Sequence, residues 1–426
     1  MGHGFVTSRA ARWGAVLTVA GFAAACGSSS TSSTSGGGGG TTSGGSSTTS
    51  SGSGSGITVA SFDSTFSAMA QLKSLGGSGL VAVILPDTTS STRYVDFDQP
   101  YLKKAFDAAG FSASDYKIDN AQGNDATQLS IAQADITQGA KVLIFDPLDS
   151  TVGSQIQQLA SSHGVQTISY DRATFTGTNT YYVSFDNVQV GKLIGQGFLD
   201  CVTAWNVKTP KVFTLNGGQD VDPNAVSFAQ GYNQVVWGDP TTPQQPGKTN
   251  SQGMTLVGDQ ITPKWDNKAG GDIFQQNFTA HPEINATIEA NDGLGNAVIQ
   301  VLKNKGVQPK TIPTTGQDAT LQGMENVLQN FQCGSVYKAV YLEAQAAVAL
   351  AAYLRAGQTP PSGLVNGKTT PPSGVQGSEQ PAVLLTPQWV TAANMASTVI
   401  KDQFVSASAL CQAVGASVCS AAGISG

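Results

Sequence analysis

From residue 79 onward the chain alternates short, uninterrupted apolar runs with longer segments of helical period, and nothing else in it constrains the fold as much. The runs at 80–86 (LVAVILP), 141–146 (KVLIFD) and 165–170 (VQTISY) are apolar on both faces, which marks parallel strands covered above and below rather than half-solvated antiparallel ones. Between them lie helix-like segments at 99–110, 125–139 and 154–164, with a further strand at 116–120. The rhythm then restarts. Strands are expected at 180–187, 211–215, 254–260, 286–290, 311–315 and 336–340, and helices at 190–202, 224–236, 268–280, 294–305, 321–331 and 341–356. A Pro/Gly-rich loop spans 357–380, then come a strand at 382–385 and a helix at 393–404. Strand–helix alternation implies right-handed βαβ units. Two such series in 426 residues imply an α/β fold of two doubly wound parallel-sheet lobes joined by a three-strand hinge.

The division expected is residues 79–184 plus 341–360 for the first lobe and 185–340 plus 381–412 for the second, with 413–426 as a C-terminal tail. The chain would cross between lobes near 184–186, near 338–341 and within 357–382. Residues 57–78 have no clear assignment from the sequence.

Ahead of the folded part, His3, Arg9 and Arg12 precede an apolar run that ends Ala23-Ala24-Ala25-Cys26. A positive start, an apolar stretch too short to span a bilayer and small residues at a cut site read as a secretory signal over residues 1–25. The cysteine that follows resembles a lipobox, with Cys26 as the lipidated residue, although Ala23 stands where that pattern prefers leucine. Residues 27–56 are all Gly, Ser or Thr. Such a chain cannot bury enough apolar surface to order itself and is expected to be a tether with an r.m.s. reach of roughly 30 Å. The expected location is therefore extracytoplasmic, anchored to the cell membrane through lipid. Cys201, Cys333, Cys411 and Cys419 remain, an even number in an exported chain. Three connectivities are possible; a local Cys411–Cys419 clip with a long-range Cys201–Cys333 staple is preferred.

In open α/β sheets ligands bind beyond the C-terminal ends of the strands, so those ends carry the functional signal. Here they hold Asp87 with Arg93-Tyr94, Asp171-Arg172, Asp220, Asp222 and Asn224, Asn291-Asp292, Gln317-Asp318, and Lys338, with Trp265 nearby. Ionised Asp accepts, Arg and Lys donate, and Asn does both, which is what a hydroxyl-rich ligand requires. Aromatic rings suit the apolar C–H faces of a pyranose. Helix capping explains polar residues after strands equally well at Asp125, Asp171 and Asp292 taken singly. Gly217-Gly218 is not followed by a dinucleotide-binding pattern. The cysteine spacings and the three histidines fit no metal site, and no cofactor is expected.

The ordered stretches SYDR (169–172), YYVSFDNVQVG (181–191), NGGQDVDPNA (216–225), GDQ followed by Trp265, EANDGLGNAVIQ (289–300), TGQDATLQG (315–323) and SVYKAV (335–340) resemble the periplasmic xylose-binding proteins. These belong to the wider type I sugar-binding family of ABC importers, which includes ribose binders. The resemblance covers about residues 79–405. It implies ligand roles for Arg172, Asp222, Asn224, Asn291, Asp318 and Lys338, a stacking role for Trp265, and a place for Arg93 and Tyr94 where the family has arginine followed by tryptophan. The first loop, DTTSSTRY, lacks an additional arginine that xylose binders carry there, Pro223 replaces a residue that is usually polar, and Ala339 stands where proline is common. The implied ligand is thus a monosaccharide, D-xylose or a similar aldopentose. The implied partner is an ABC permease, with the binder acting as a monomer.

Competing classes fare worse. Asp222 and Asp318 imitate a glycosidase pair, but His3, His163 and His281 build no visible catalytic set. A net charge of −6, nearer −8 once Arg9 and Arg12 are cut away, opposes nucleic-acid binding. A sugar-responsive repressor would need a helix-turn-helix where this chain has its tether. A membrane-tethered sugar sensor is the alternative that the sequence leaves open.

Overall fold

The computed structural model describes residues 56–177 and 180–426; the signal, Cys26 and nearly all of the tether expected above lie outside them. The elements in chain order are β1 (Leu80–Leu85), α1 (Gln99–Ala109), β2 (Tyr116–Asn120), α2 (Asp125–Thr137), β3 (Ala140–Phe145), α3 (Ser150–Ser162), β4 (Gln166–Tyr170) and β5 (Thr180–Phe185), all in the first lobe. The second lobe follows with α4 (Asn187–Ala204), β6 (Lys211–Asn216), α5 (Pro223–Trp237), β7 (Thr255–Ile261), α6 (Asn267–Ala280), β8 (Ala286–Glu289), α7 (Asp292–Asn304), α8 (Leu321–Leu328) and β9 (Ser335–Tyr337). The chain ends with α9 (Val340–Arg355), β10 (Gly367–Thr369), β11 (Gln380–Leu385), β12 (Gln388–Val390), α10 (Ala407–Val414) and α11 (Ala416–Ala421).

The first sheet has the order β10-β11-β5-β4-β3-β1-β2 and is parallel except for β10. Its double winding is visible residue by residue. Val81, Val83 and Leu85 of β1 pack with α1 and α9, while Ala82 and Ile84 pack with α2 and α3. Successive strand side chains alternate faces, so an unbroken apolar run is what a sheet covered on both sides requires. The second sheet, β7-β6-β8, is parallel, and β9 pairs antiparallel with β12 beside it. Segment 311–318 bridges the two by hydrogen bonds from Thr287 N to Pro313 O and from Val336 N to Gly316 O. It is not a regular strand, as expected at 311–315, because Pro313 offers no N–H.

The fold differs from the remaining expectations at β11 and in the C-terminal segment, and it assigns residues 57–78. The strand expected at 382–385 in the second lobe is β11 of the first sheet, parallel to β5 with Ala382 opposite Tyr182. Its apolar pattern fits either sheet, and the outer edge of β5 supplies the partner. The third crossing between lobes therefore falls between β11 and β12 rather than within 357–382. Residues 57–78 are part of the first lobe: two 3-10 turns (Val59–Ser61 and Ser67–Ser74) set Phe66, Met69 and Leu72 into its core. The helix expected at 393–404 is a π turn, Ala396–Ile400, and 413–426 is a packed segment with Cys419 and Ile424 buried. Disulfides join Cys201 to Cys333 and Cys411 to Cys419. No helix among the described residues is long and apolar enough to cross a membrane.

Candidate functional site

The strand ends of the two sheets face one another across a cleft. One small cavity there, of about 30 Å3, is lined by Arg93, Tyr94, Asp171, Arg172, Asp222, Asn224, Trp265, Asn291, Asp318 and Lys338. The structure thus brings together all ten residues singled out from the sequence. Ser90, Ser91 and Phe228 complete the lining and were missed, as was a ligand role for Gln317, which stands among the polar strand ends. Gln317 adjoins Asp318 and was a readable signal. Ser90 and Ser91 sit in an undistinguished serine-threonine run, and Phe228 reads as an ordinary apolar helix position.

The first lobe contributes two pairs. After β1 the chain enters a π turn, Tyr94–Asp98, that carries Arg93 at its start. Arg93 is 1% exposed and already well occupied. Its Nε and Nη2 donate to Asp98 at 2.9 and 2.8 Å, Nη2 to Glu343 at 2.7 Å and Nη1 to Asp171 at 2.7 Å. After β4, Asp171 takes a positive φ of 56°. Burial alone would raise its pKa, but Arg93, Lys338 and Arg172 outweigh burial and hold it well below the usual carboxylate range. Arg172 differs from Arg93. Its contacts are long: 3.4 Å to Ser90 Oγ, 3.5 Å to Pro147 O, 3.7 Å to Asp146 and 3.8 Å to Asp222. The Tyr94 ring lies near both guanidinium groups, 5.6 and 5.7 Å from their carbons.

The second lobe contributes the rest, mostly from helix starts. Asp222 caps α5 by accepting from Asn224 N, and it also receives Trp265 Nε1–H at 3.1 Å; burial raises its pKa. Asn291 caps α7 through Leu294 N. At these two positions capping and cavity lining are the same residue's work, so the two readings of polar strand ends were not alternatives. Asp292, by contrast, faces inward: Thr320, Gln332 and Ser335 all donate to its carboxylate. Trp265, with φ of 60°, lies over Gly217 and Gly218, where a Cβ would come within 2.1 and 2.7 Å of the indole. That pair of glycines is the seat of the ring. Phe228 meets Trp265 edge-on at 6.4 Å. Lys338, just after β9, sits 3.2 Å from Asp318 and 3.4 Å from Asp171; burial opposes its charge, and the two carboxylates restore it and raise its pKa.

The lobes touch across the cleft. Asn224 Nδ2 donates to Asp171 O at 2.6 Å, Ser91 Oγ to Asp318 at 3.2 Å, and Ser150 N to Val221 O at 3.1 Å. The lining holds three cations and three carboxylates, with rings from both lobes. Such a space balances its own charge and offers donors and acceptors on every side, which suits a small neutral polar molecule. Among the described residues no group of His, Cys, Asp and Glu could hold a metal ion.

Residues 81–359 match the family described as periplasmic binding protein domain. The chain is 32% identical over 288 residues to the D-xylose-binding periplasmic protein of Escherichia coli, covering 67% of this chain and 80% of that one. It is 29% identical over 341 residues to the multiple sugar-binding periplasmic receptor ChvE of Rhizobium radiobacter, covering 78% and 92%. In fold it is similar to a carbohydrate transporter solute binding protein of Chloroflexus aurantiacus solved with D-glucose, with TM-score 0.65, 24% identity and coverage of 77% and 97%. With this topology and this family match, the chain belongs to the periplasmic binding protein family in its type I form, and it is a solute-binding protein and not an enzyme.

Proposed function

We propose that this protein captures a monosaccharide in the cleft between its lobes, D-xylose or a similar aldopentose, and delivers it to an ABC permease as an extracytoplasmic lipoprotein held to the membrane through Cys26. The observation that carries the sugar reading is the buried, charge-balanced lining of Arg93, Arg172, Lys338, Asp171, Asp222 and Asp318 with the rings of Tyr94, Phe228 and Trp265. Charged groups form the stronger hydrogen bonds to hydroxyls, about 1.5–3 kcal/mol each. The relative from Escherichia coli, named for D-xylose, supports a pentose, and the multiple sugar-binding receptor of Rhizobium radiobacter supports a wider range. The lobes would move about the links β5–α4, β9–α9 and β11–β12, closing on the ligand.

Thermal unfolding and calorimetric titration of the purified protein with D-xylose, L-arabinose, D-ribose, D-glucose and D-galactose test this. A ligand that binds only the folded state raises stability by RT ln(1 + [L]/Kd), about 2.7 kcal/mol at a hundredfold excess over Kd. At least one aldopentose is expected to stabilise the protein. If every sugar leaves unfolding unchanged, the reading fails.

A further inference from the structure

We infer that Gln317 is a further sugar-contacting and specificity-determining residue, reading a single hydroxyl next to the one taken by Asp318. The inference rests on the sugar reading of the cleft and adds a residue to it.

Gln317 lines the cavity and is 2% exposed, yet among the described residues its amide has no protein partner. Other buried amides with an unpaired oxygen are anchored through nitrogen: Gln157 to Ser169, Gln332 to Asp292, Gln345 to Tyr341 and Gln380 to Thr174. Gln317 is held only by its backbone, whose carbonyl accepts from Asp292 N and which bridges to Val336. A buried amide without partners is costly to keep. Of the amides just named Gln317 alone lines the cavity, where a ligand would supply the missing bonds.

The local backbone explains how two neighbours reach one cavity. In an extended segment, successive side chains point to opposite faces, so only one of Gln317 and Asp318 would line the cleft. Asp318 has φ of 90° and Ala319 φ of 48°, and this left-handed turn breaks the alternation. Both residues then line the same space. Backbone strain of this kind concentrates at functional sites. The two groups have different chemistry. Asp318 is tied to Lys338 and Ser91 and only accepts. The Gln317 amide both donates and accepts, which matches a hydroxyl used in both directions. An amide carries no charge, so it would discriminate a hydroxyl from hydrogen at that ring position without disturbing the balance of the lining.

Gln317→Met tests this because it keeps the volume and removes the hydrogen bonds. D-xylose and D-glucose, each with its singly deoxygenated analogues, would be titrated into wild type, Gln317→Met and Asp318→Asn. Gln317→Met should weaken the better sugar about 10- to 100-fold, while the melting temperature of the free protein holds or rises. The loss should vanish for one deoxy analogue, and that position should neighbour the one coupled to Asp318. Wild-type affinity in Gln317→Met, or an equal loss for every analogue, or a fall in the free protein's stability, would overturn the assignment. If wild type binds neither sugar, the reading of the cleft as a D-xylose site falls instead.

Discussion

Two arginines line the same cavity within 6 Å of the same tyrosine ring, and the structure gives them different fates on removal. Arg93→Ala takes away four hydrogen bonds of 2.7–2.9 Å and leaves Asp98, Asp171 and Glu343 buried without their cation. Breaking a buried pair from one side costs about 3–5 kcal/mol, so the free protein should lose that much stability. Arg172→Ala takes away only contacts of 3.4–3.8 Å. Distances near 3.5 Å and beyond carry little hydrogen-bond energy, and burial already pushes the nearby Asp146 carboxyl well above its ordinary range, towards its neutral form. The stability cost should therefore be clearly smaller than that of Arg93→Ala. The binding cost should be larger, about 2–4 kcal/mol or 30- to 1,000-fold in Kd, because a charged donor disappears from a closed, dry cleft. Urea unfolding of both variants without ligand, and calorimetric titration of Arg172→Ala with the best sugar, measure these quantities. Equal destabilisation by the two substitutions, or wild-type affinity in Arg172→Ala, would refute the division of roles.

Other outcomes follow from the same structure. Because Ser91–Asp318 and Ser150–Val221 bonds span the cleft, small-angle scattering should show a smaller radius of gyration with sugar than without; an unchanged radius with a bound sugar would count against hinge closure. Burial raises Glu289, which accepts Thr315 N at 2.8 Å, to about 8. A carboxyl whose folded pKa lies above its unfolded value of about 4.3 makes stability fall as pH rises between the two. Urea midpoints measured from pH 4.5 to 8 should therefore decline less steeply in Glu289→Gln than in wild type, and identical slopes would remove Glu289 as a cause. Cys26→Ser should move the protein from the membrane to the soluble fraction of fractionated cells, since serine forms no thioether; an unchanged membrane share would end the lipoprotein reading.

What the sequence determined by itself is what short-range periodicity and residue chemistry determine. The apolar runs place nearly every strand, because a strand covered on both faces has no polar alternative. The polar residues just after those runs mark the cavity, because the topology of open α/β sheets sends ligands to that edge. Tertiary structure alone decided the rest, and the reason is sequence distance. β11 joins β5 across nearly 200 residues, and an apolar strand carries no label for its sheet. Arg93 reads like Arg172 until Glu343, 250 residues away, takes up one of its nitrogens. Gly217 and Gly218 resemble a loop motif until the Trp265 ring is seen lying on them. The left-handed turn at Asp318 and Ala319 has no glycine to announce it, so although both residues stand at a strand end, that Gln317 and Asp318 line one cavity together is visible only when the chain is folded.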